Sequence, residues 1–199
     1  MSFLRKQLRS QTFYLWLVGC LLTTYALLRA WFVAPLHDEN ATFNYYIETG
    51  AIWGKGSLLD ANNHLLNSYI GRFFYQIFGE HYFLFRLPTA LSAGLYFWVI
   101  WKLTFTFVSN WQRWIVTLAI VCIPFVFDYF SYTRGYGLAL CFFCCALYFL
   151  QRWLITAKYG LILALVVCLL LSVSANLTFL ISAVLVMSYV IVVVLIHLK

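Results

Sequence analysis

The stretch from Tyr159 to Leu198 contains no Asp, Glu, Lys or Arg. As one continuous helix, at about 1.5 Å per residue, it would reach about 60 Å, roughly twice the hydrocarbon thickness of a bilayer. Such a segment belongs in a membrane and must turn back on itself. The only polar cluster available for the turn is Ser172-Val173-Ser174-Ala175-Asn176. The rest of the chain is of the same kind: 64% of residues are apolar and 10% charged, where a soluble domain carries about 25% charged residues. Spans are expected over 12–34, 87–108, 114–130, 135–150, 159–173 and 177–198. The fold class is therefore all-α, a polytopic transmembrane bundle of about six helices in a single module over 1–199. The first span is too long for the apolar core of a signal peptide, and no small-x-small cleavage site follows it.

The net charge of +7 does not point to nucleic acid, because the cations sit at span ends. Arg5, Lys6 and Arg9 precede the first span, and Arg113, Arg152, Lys158 and Lys199 fall on the same side, with Lys102 close by. Every carboxylate (Asp38, Glu39, Glu48, Asp60, Glu80 and Asp128) falls on the other side, with Lys55, Arg72, Arg86 and Arg134. A purely basic side faces the cytoplasm. The N-terminus is therefore expected there, in an inner membrane, with the carboxylates facing the periplasm or outside. The cysteines all lie in apolar runs and read as small buried hydrophobes, and their spacing fits no zinc site.

The outer stretch 35–86 is too long for a plain loop. Leu65/Leu66, Tyr69/Ile70, Phe73/Phe74 and Ile77/Phe78 recur every four residues, which predicts an amphipathic helix lying in the interface. Asn62 or Asn63 would cap its start and Gly79 its end. A second, shorter helix is expected over Thr42–Ile52.

Three polar clusters carry the candidate chemistry. The first is His37-Asp38-Glu39-Asn40, directly after the first span. Adjacent carboxylates at a membrane surface serve as a general base on an acceptor hydroxyl, help hold a divalent cation, or simply cap a helix. The second is Asp60-Ala61-Asn62-Asn63-His64, which also reads as a capping segment. The third runs from Asp128 through Arg134 and Gly135 to Tyr136. There Arg134 either pairs a phosphate in bidentate fashion with help from the Tyr136 hydroxyl, or forms a salt bridge with Asp128 across the turn. Arg86-Leu87-Pro88 starts the second span, with Pro88 in its first turn and Arg86 as an anchor at its end.

Taken in order, the acidic pair after span one, the interfacial helices, the Asn-Asn-His-Leu-Leu-Asn segment, the Arg-Leu-Pro start and the Arg-Gly-Tyr start of span four resemble the N-terminal module of a GT-C-type membrane glycosyltransferase. The resemblance is to the protein-mannosyltransferase and aminoarabinose-transferase kind and covers about Thr12–Leu180. It implies transfer of a sugar from a polyprenyl-phosphate donor to a lipid, glycan or protein acceptor, with inversion at the anomeric carbon. By position it implies Asp38 as the catalytic acidic residue with Glu39 beside it. Arg134 and Tyr136 would face the donor phosphate, Asp128 would be a second acidic position, and Asn63 and His64 would border the cavity. A divalent metal is permitted and not required. Members of that superfamily are longer, so a C-terminal portion or partner subunit is expected to complete the module. Two alternatives stand beside it: a transporter or flippase of lipid-linked substrates, whose ionisable groups sit near mid-membrane, and a non-catalytic assembly subunit. The enzyme reading requires Asp38 and Arg134 to share one cavity at the outer leaflet.

Overall fold

The computed structural model describes residues 2–51, 63–106 and 109–197. Trp53, Lys55, Asp60, Asn62 and Lys199 lie outside the described residues, as do the side chains of Arg5, Lys6, Arg9 and His197. The described residues are helical throughout, without strands. In chain order they form α1 (Ser2–Phe32), α2 (His37–Thr42), α3 (Leu65–Phe78), α4 (Tyr82–Leu103), α5 (Asn110–Val121), α6 (Pro124–Asp128), α7 (Tyr136–Thr156), α8 (Gly160–Ala175) and α9 (Leu180–His197). Four helices are long and apolar enough to cross a membrane, and the pair α5 and α6, bent by 63°, makes a fifth if it is one span. This is a multi-pass membrane protein.

α1, α4 and α7 form the centre. Their contact face is built of small residues, Ala26, Ala30, Ala90, Ala93, Cys141 and Cys145, around the larger Tyr96, Phe97 and Phe130. Small side chains let helix backbones approach closely where no hydrophobic effect drives association. At Gly94 the packing is tight: a Cβ there would lie 2.5 Å from the Thr23 hydroxyl oxygen. Cys141, Cys144 and Cys145 are buried as expected, whereas Cys20 and Cys122 are exposed.

Several boundaries differ from the sequence reading, each for an identifiable reason. α4 starts at Tyr82 rather than at position 87, with His81 as its N-cap. Pro88 is therefore inside the helix, where its ring removes one i→i−4 bond, and Arg86 lies a full turn inside rather than at the end. α5 starts at Asn110 because Ser109 accepts from the Gln112 amide while the Gln112 side chain accepts from the Ser109 amide, a capping box. Pro124 restarts the chain as α6 after a break at Cys122 and Ile123. The break in the uncharged C-terminal stretch falls at Asn176, within the expected cluster. α8 has 16 residues, about 24 Å of helix.

α3 occupies the expected residues, but its protein-facing side is not the apolar stripe alone. Asn67, Ser68 and Gly71 are buried, while Tyr69, Phe73, Ile77 and Phe78 are exposed. His64, not Asn62 or Asn63, is its N-cap and makes no side-chain cap bond; Gly79 ends it with φ +76°. The shorter helix begins earlier than expected, at His37, and runs through a π-helical turn at Phe43–Ile47. That turn is fastened to α3 by Arg72, which donates to the carbonyls of Ile47 and Glu48.

Candidate functional site at the carboxylate end of the bundle

The end of α1, the start of α4, the turn before α7 and the end of α8 meet at one pole, and the four ion pairs among the described residues lie there. The deepest is a buried ion pair. The side chains of Arg86 and Glu39 are 1% and 0% exposed. Placing two charges out of water costs several kcal/mol for each, recovered only if every donor and acceptor is matched. Here they are. The Arg86 Nε donates to Glu39 Oε1 at 3.0 Å and one Nη donates to Glu39 Oε2. The remaining N–H groups go to the carbonyls of Ala30 in the last turn of α1 and of Val33 and Ala34 just beyond it. Glu39 Oε1 also accepts from the Thr133 amide at 2.7 Å and hydroxyl at 2.6 Å, and Oε2 accepts from the Leu36 amide at 3.0 Å. Burial pushes the Glu39 carboxyl up. The Arg86 fork and the two Thr133 bonds outweigh it and hold the carboxyl below the ordinary glutamate range. Glu39 thus joins α1, α2, α4 and the turn before α7 through a saturated carboxylate.

Asp38, its neighbour in sequence, is placed quite differently. Helical geometry turns it about 100° away, and its Oδ2 meets Arg134 Nη1 at 2.5 Å, with the two side chains 44% and 24% exposed. The His37 ring lies at 3.6 Å from the other oxygen and is itself exposed. Arg134 lies over the Tyr136 ring at 5.7 Å. The acid after α1 and the guanidinium before α7, separated widely in sequence, form one accessible ion pair.

Beside this pair stands His64. It is 5% exposed, and neither ring nitrogen has a hydrogen-bond partner. Its ring packs edge-on to Tyr136, centroids 5.6 Å apart. Burial, then the charge of Arg134, pushes its pKa down to about 4 against an opposing pull from Asp38. His64 is therefore neutral at physiological pH, with one N–H and one lone pair buried and unused. Two further buried donors have no partner, the side-chain amides of Asn67, in the first turn of α3, and of Asn176, beside Ala175 at the end of α8. Gly135 makes this assembly possible. Its φ is +70°, and a Cβ there would lie 2.0 Å from the Ala175 carbonyl oxygen and 3.2 Å from the His64 Cβ.

Of the residues singled out in the sequence, Asp38, His64, Arg134 and Tyr136 therefore come together. Asn63 lies at the start of α3, where its side-chain oxygen accepts from Ser68 at 2.8 Å. Asp128 does not join them. It pairs with Arg29 at 3.1 Å, and Arg29 continues to the Tyr132 hydroxyl at 3.5 Å, so the expected Asp128–Arg134 bridge across the turn is replaced by two separate pairs. Arg86, expected only to anchor a span end, is the residue the sequence reading undervalued. The local signal that would have found it is an arginine at the apolar mouth of a span within reach of an acidic pair. Among the described residues, no three His, Cys, Asp or Glu side chains converge as a metal site would require. Compared with family models, curated proteins and solved structures, the chain matches none.

Proposed function

We propose that this chain is a GT-C-type membrane glycosyltransferase, or its catalytic module, moving a sugar from a polyprenyl-phosphate donor to an extracytoplasmic acceptor. The single observation that supports the reading is the accessible Asp38–Arg134 pair. It sits on a frame held by the Glu39–Arg86 pair and beside a neutral, unpartnered His64. Arg134 exchanges Asp38 for the donor phosphate, for which a planar guanidinium is suited. That exchange frees the Asp38 carboxylate. The acceptor oxygen then attacks the anomeric carbon from the face opposite the phosphate. Its proton passes to Asp38, the bond from the anomeric carbon to the phosphate oxygen breaks, and the phosphate leaves with its charge on Arg134. One displacement inverts the centre. Tyr136 positions Arg134, and His64 and Asn63 border the sugar.

In this reading α8 crosses the bilayer beside α7, giving six spans, and α2 and α3 lie in the interface with Tyr69, Phe73 and Ile77 toward lipid. The basic end is cytoplasmic, and the site faces the periplasm of an inner membrane. Glu39 is a positioning residue, since both its oxygens are occupied.

The test is transfer by the purified chain in bilayer nanodiscs, supplied with polyprenyl-phosphate sugar and, in a second arm, with membranes containing any missing subunit. Asp38→Asn is expected to lower turnover by about 10²–10⁴-fold, with folding unchanged. Full turnover in that variant removes Asp38 as the base. Vesicle uptake of the lipid-linked sugar without chemical change would replace the enzyme with a flippase.

A further inference from the structure

The opposite pole of the bundle is built on different terms. Lys102 in the last turn of α4, Arg113 in the first turn of α5 and Arg152 toward the end of α7 line one pocket of about 280 Å³ with Trp101, Tyr148 and Gln151. No carboxylate lines it. The described carboxylates are Asp38, Glu39, Glu48, Glu80 and Asp128; three of them are in the pairs at the other pole, and Glu48 and Glu80 flank α3 there.

Arg113 and Lys102 are held in place by groups that leave their charge uncompensated, and Arg152 is exposed beside them. Arg113 stacks over the Trp101 ring at 4.1 Å and donates one Nη to the Trp101 carbonyl at 3.0 Å, while its buried Nε has no hydrogen-bond partner. Lys102 lies over the Trp98 ring at 5.2 Å. Gln151 donates to the Leu103 carbonyl at 3.2 Å, tying the end of α7 to the end of α4. Like charges gathered at one pocket repel one another unless an anion sits among them, and a guanidinium donates hydrogen bonds to phosphate oxygens.

A second feature says which phosphate. Lys102 also lines an apolar groove of about 430 Å³ between α1 and α4, which runs from Trp98 past Gly94 to Gly19 and Thr23. Gly19 and Gly94 let α1 and α4 pack closely beside this groove, where a Cβ on Gly94 would lie 2.5 Å from the Thr23 hydroxyl oxygen. A free phosphate fits the basic pocket alone. A phosphate carrying a hydrocarbon chain fits both, with its head at the helix ends and its chain along the groove.

We infer that Lys102, Arg113 and Arg152 form a binding site for the phosphate of an anionic membrane lipid whose chain occupies the α1/α4 groove. This site is independent of the one at the carboxylate pole and stands whether or not the chain is an enzyme.

The test is native mass spectrometry of the full chain in detergent micelles doped with equal amounts of phosphatidylglycerol and phosphatidylcholine. Retained phosphatidylglycerol is expected to dominate. Lys102→Gln and Arg152→Gln should each lower its retention about fivefold, the loss carried by one basic residue at a charged membrane surface. Lys158→Gln removes an exposed cation at the same pole that lies outside the pocket and should leave retention unchanged. Equal losses in Arg152→Gln and Lys158→Gln, or equal retention of the two lipids, would overturn the site. Displacement of phosphatidylglycerol by millimolar sodium phosphate would overturn the lipid assignment in favour of a soluble anion. Should Arg152→Gln fail to fold, Lys102→Gln carries the same comparison.

Discussion

The two poles of this bundle hold their charges in opposite ways. At one, every described carboxylate whose partner is known faces a guanidinium, and the Glu39–Arg86 pair is sealed from solvent with all its donors and acceptors matched. At the other, Lys102, Arg113 and Arg152 share a pocket that no described carboxylate lines. The first arrangement is a structural cost recovered internally. The second is stable only because aromatic faces and water, or a bound anion, take the place of carboxylates. The comparison teaches that charge at the first pole joins helices, whereas charge at the second is available to something outside the chain.

The comparison breaks most visibly at Arg86. Arg86→Ala leaves Glu39 buried and uncompensated and frees three carbonyls at and just beyond the end of α1. A loss of about 3–5 kcal/mol is expected, read as a collapse of the thermal midpoint in detergent, while Arg152→Gln at the other pole should move it by no more than about 0.5 kcal/mol. If the two variants melt alike, the buried pair is not the frame.

Gly135→Ala comes next. It combines a left-handed φ of +70° with a Cβ at 2.0 Å from a backbone oxygen, and a loss of about 3 kcal/mol is expected from strain and overpacking together. Gly79→Ala is the comparison without a close contact. Its φ is +76° with ψ −156°, a glycine-only conformation, but nothing lies within 4 Å of a Cβ there, so only a backbone cost of about 1–3 kcal/mol applies, without overpacking. Equal midpoints would show that the Gly135–Ala175 approach relaxes freely.

Acid titration separates the groups within the carboxylate pole. His64 is held at about 4 in the folded chain, against about 6.5 when unfolded. The unfolded chain therefore binds the proton first as pH falls, so stability is full above about pH 6.5 and declines toward about pH 4, by up to about 3 kcal/mol. His64→Phe should flatten that window. Glu39, whose folded pKa is depressed, contributes its part above the unfolded value of about 4.3. That part is lost only as pH falls further, a second step that His64→Phe leaves in place. A single unchanged slope in His64→Phe would remove His64 from the titration.

The smallest effect is expected at Asp128. Its bridge to Arg29 joins side chains 41% and 28% exposed, and such pairs are worth about 0–1 kcal/mol. Asp128→Asn should shift the midpoint by no more than that and should leave transfer activity intact, in contrast to Asp38→Asn.

Local pattern was enough for α3, whose Leu65–Phe78 bounds follow from pairs of apolar residues every four positions, and for the break at Asn176, which length alone demanded. Pattern was not enough for the start of α4, because Tyr82–Arg86 packs on Phe43 of the π-helical turn and on α3, and contacts α2 through Asn40 and Glu39. It also missed that α3 would bury Asn67, Ser68 and Gly71, since which side of a helix meets protein depends on what the protein puts opposite it.

What the sequence determined by itself is the medium and the periodicity: long uncharged runs require a bilayer, and side-chain spacing sets helices within it. What only the tertiary structure decided is partnership. Asp38 and Glu39 are adjacent in the chain, yet helical rotation and the position of α4 give one an open pairing with Arg134 and the other a buried pairing with Arg86. Likewise Arg134 pairs with Asp38 while Asp128 is taken by Arg29. Hydropathy and spacing act over a few residues. The choice among oppositely charged partners is made by distance and desolvation across packed helices, and those quantities exist only once the bundle has formed.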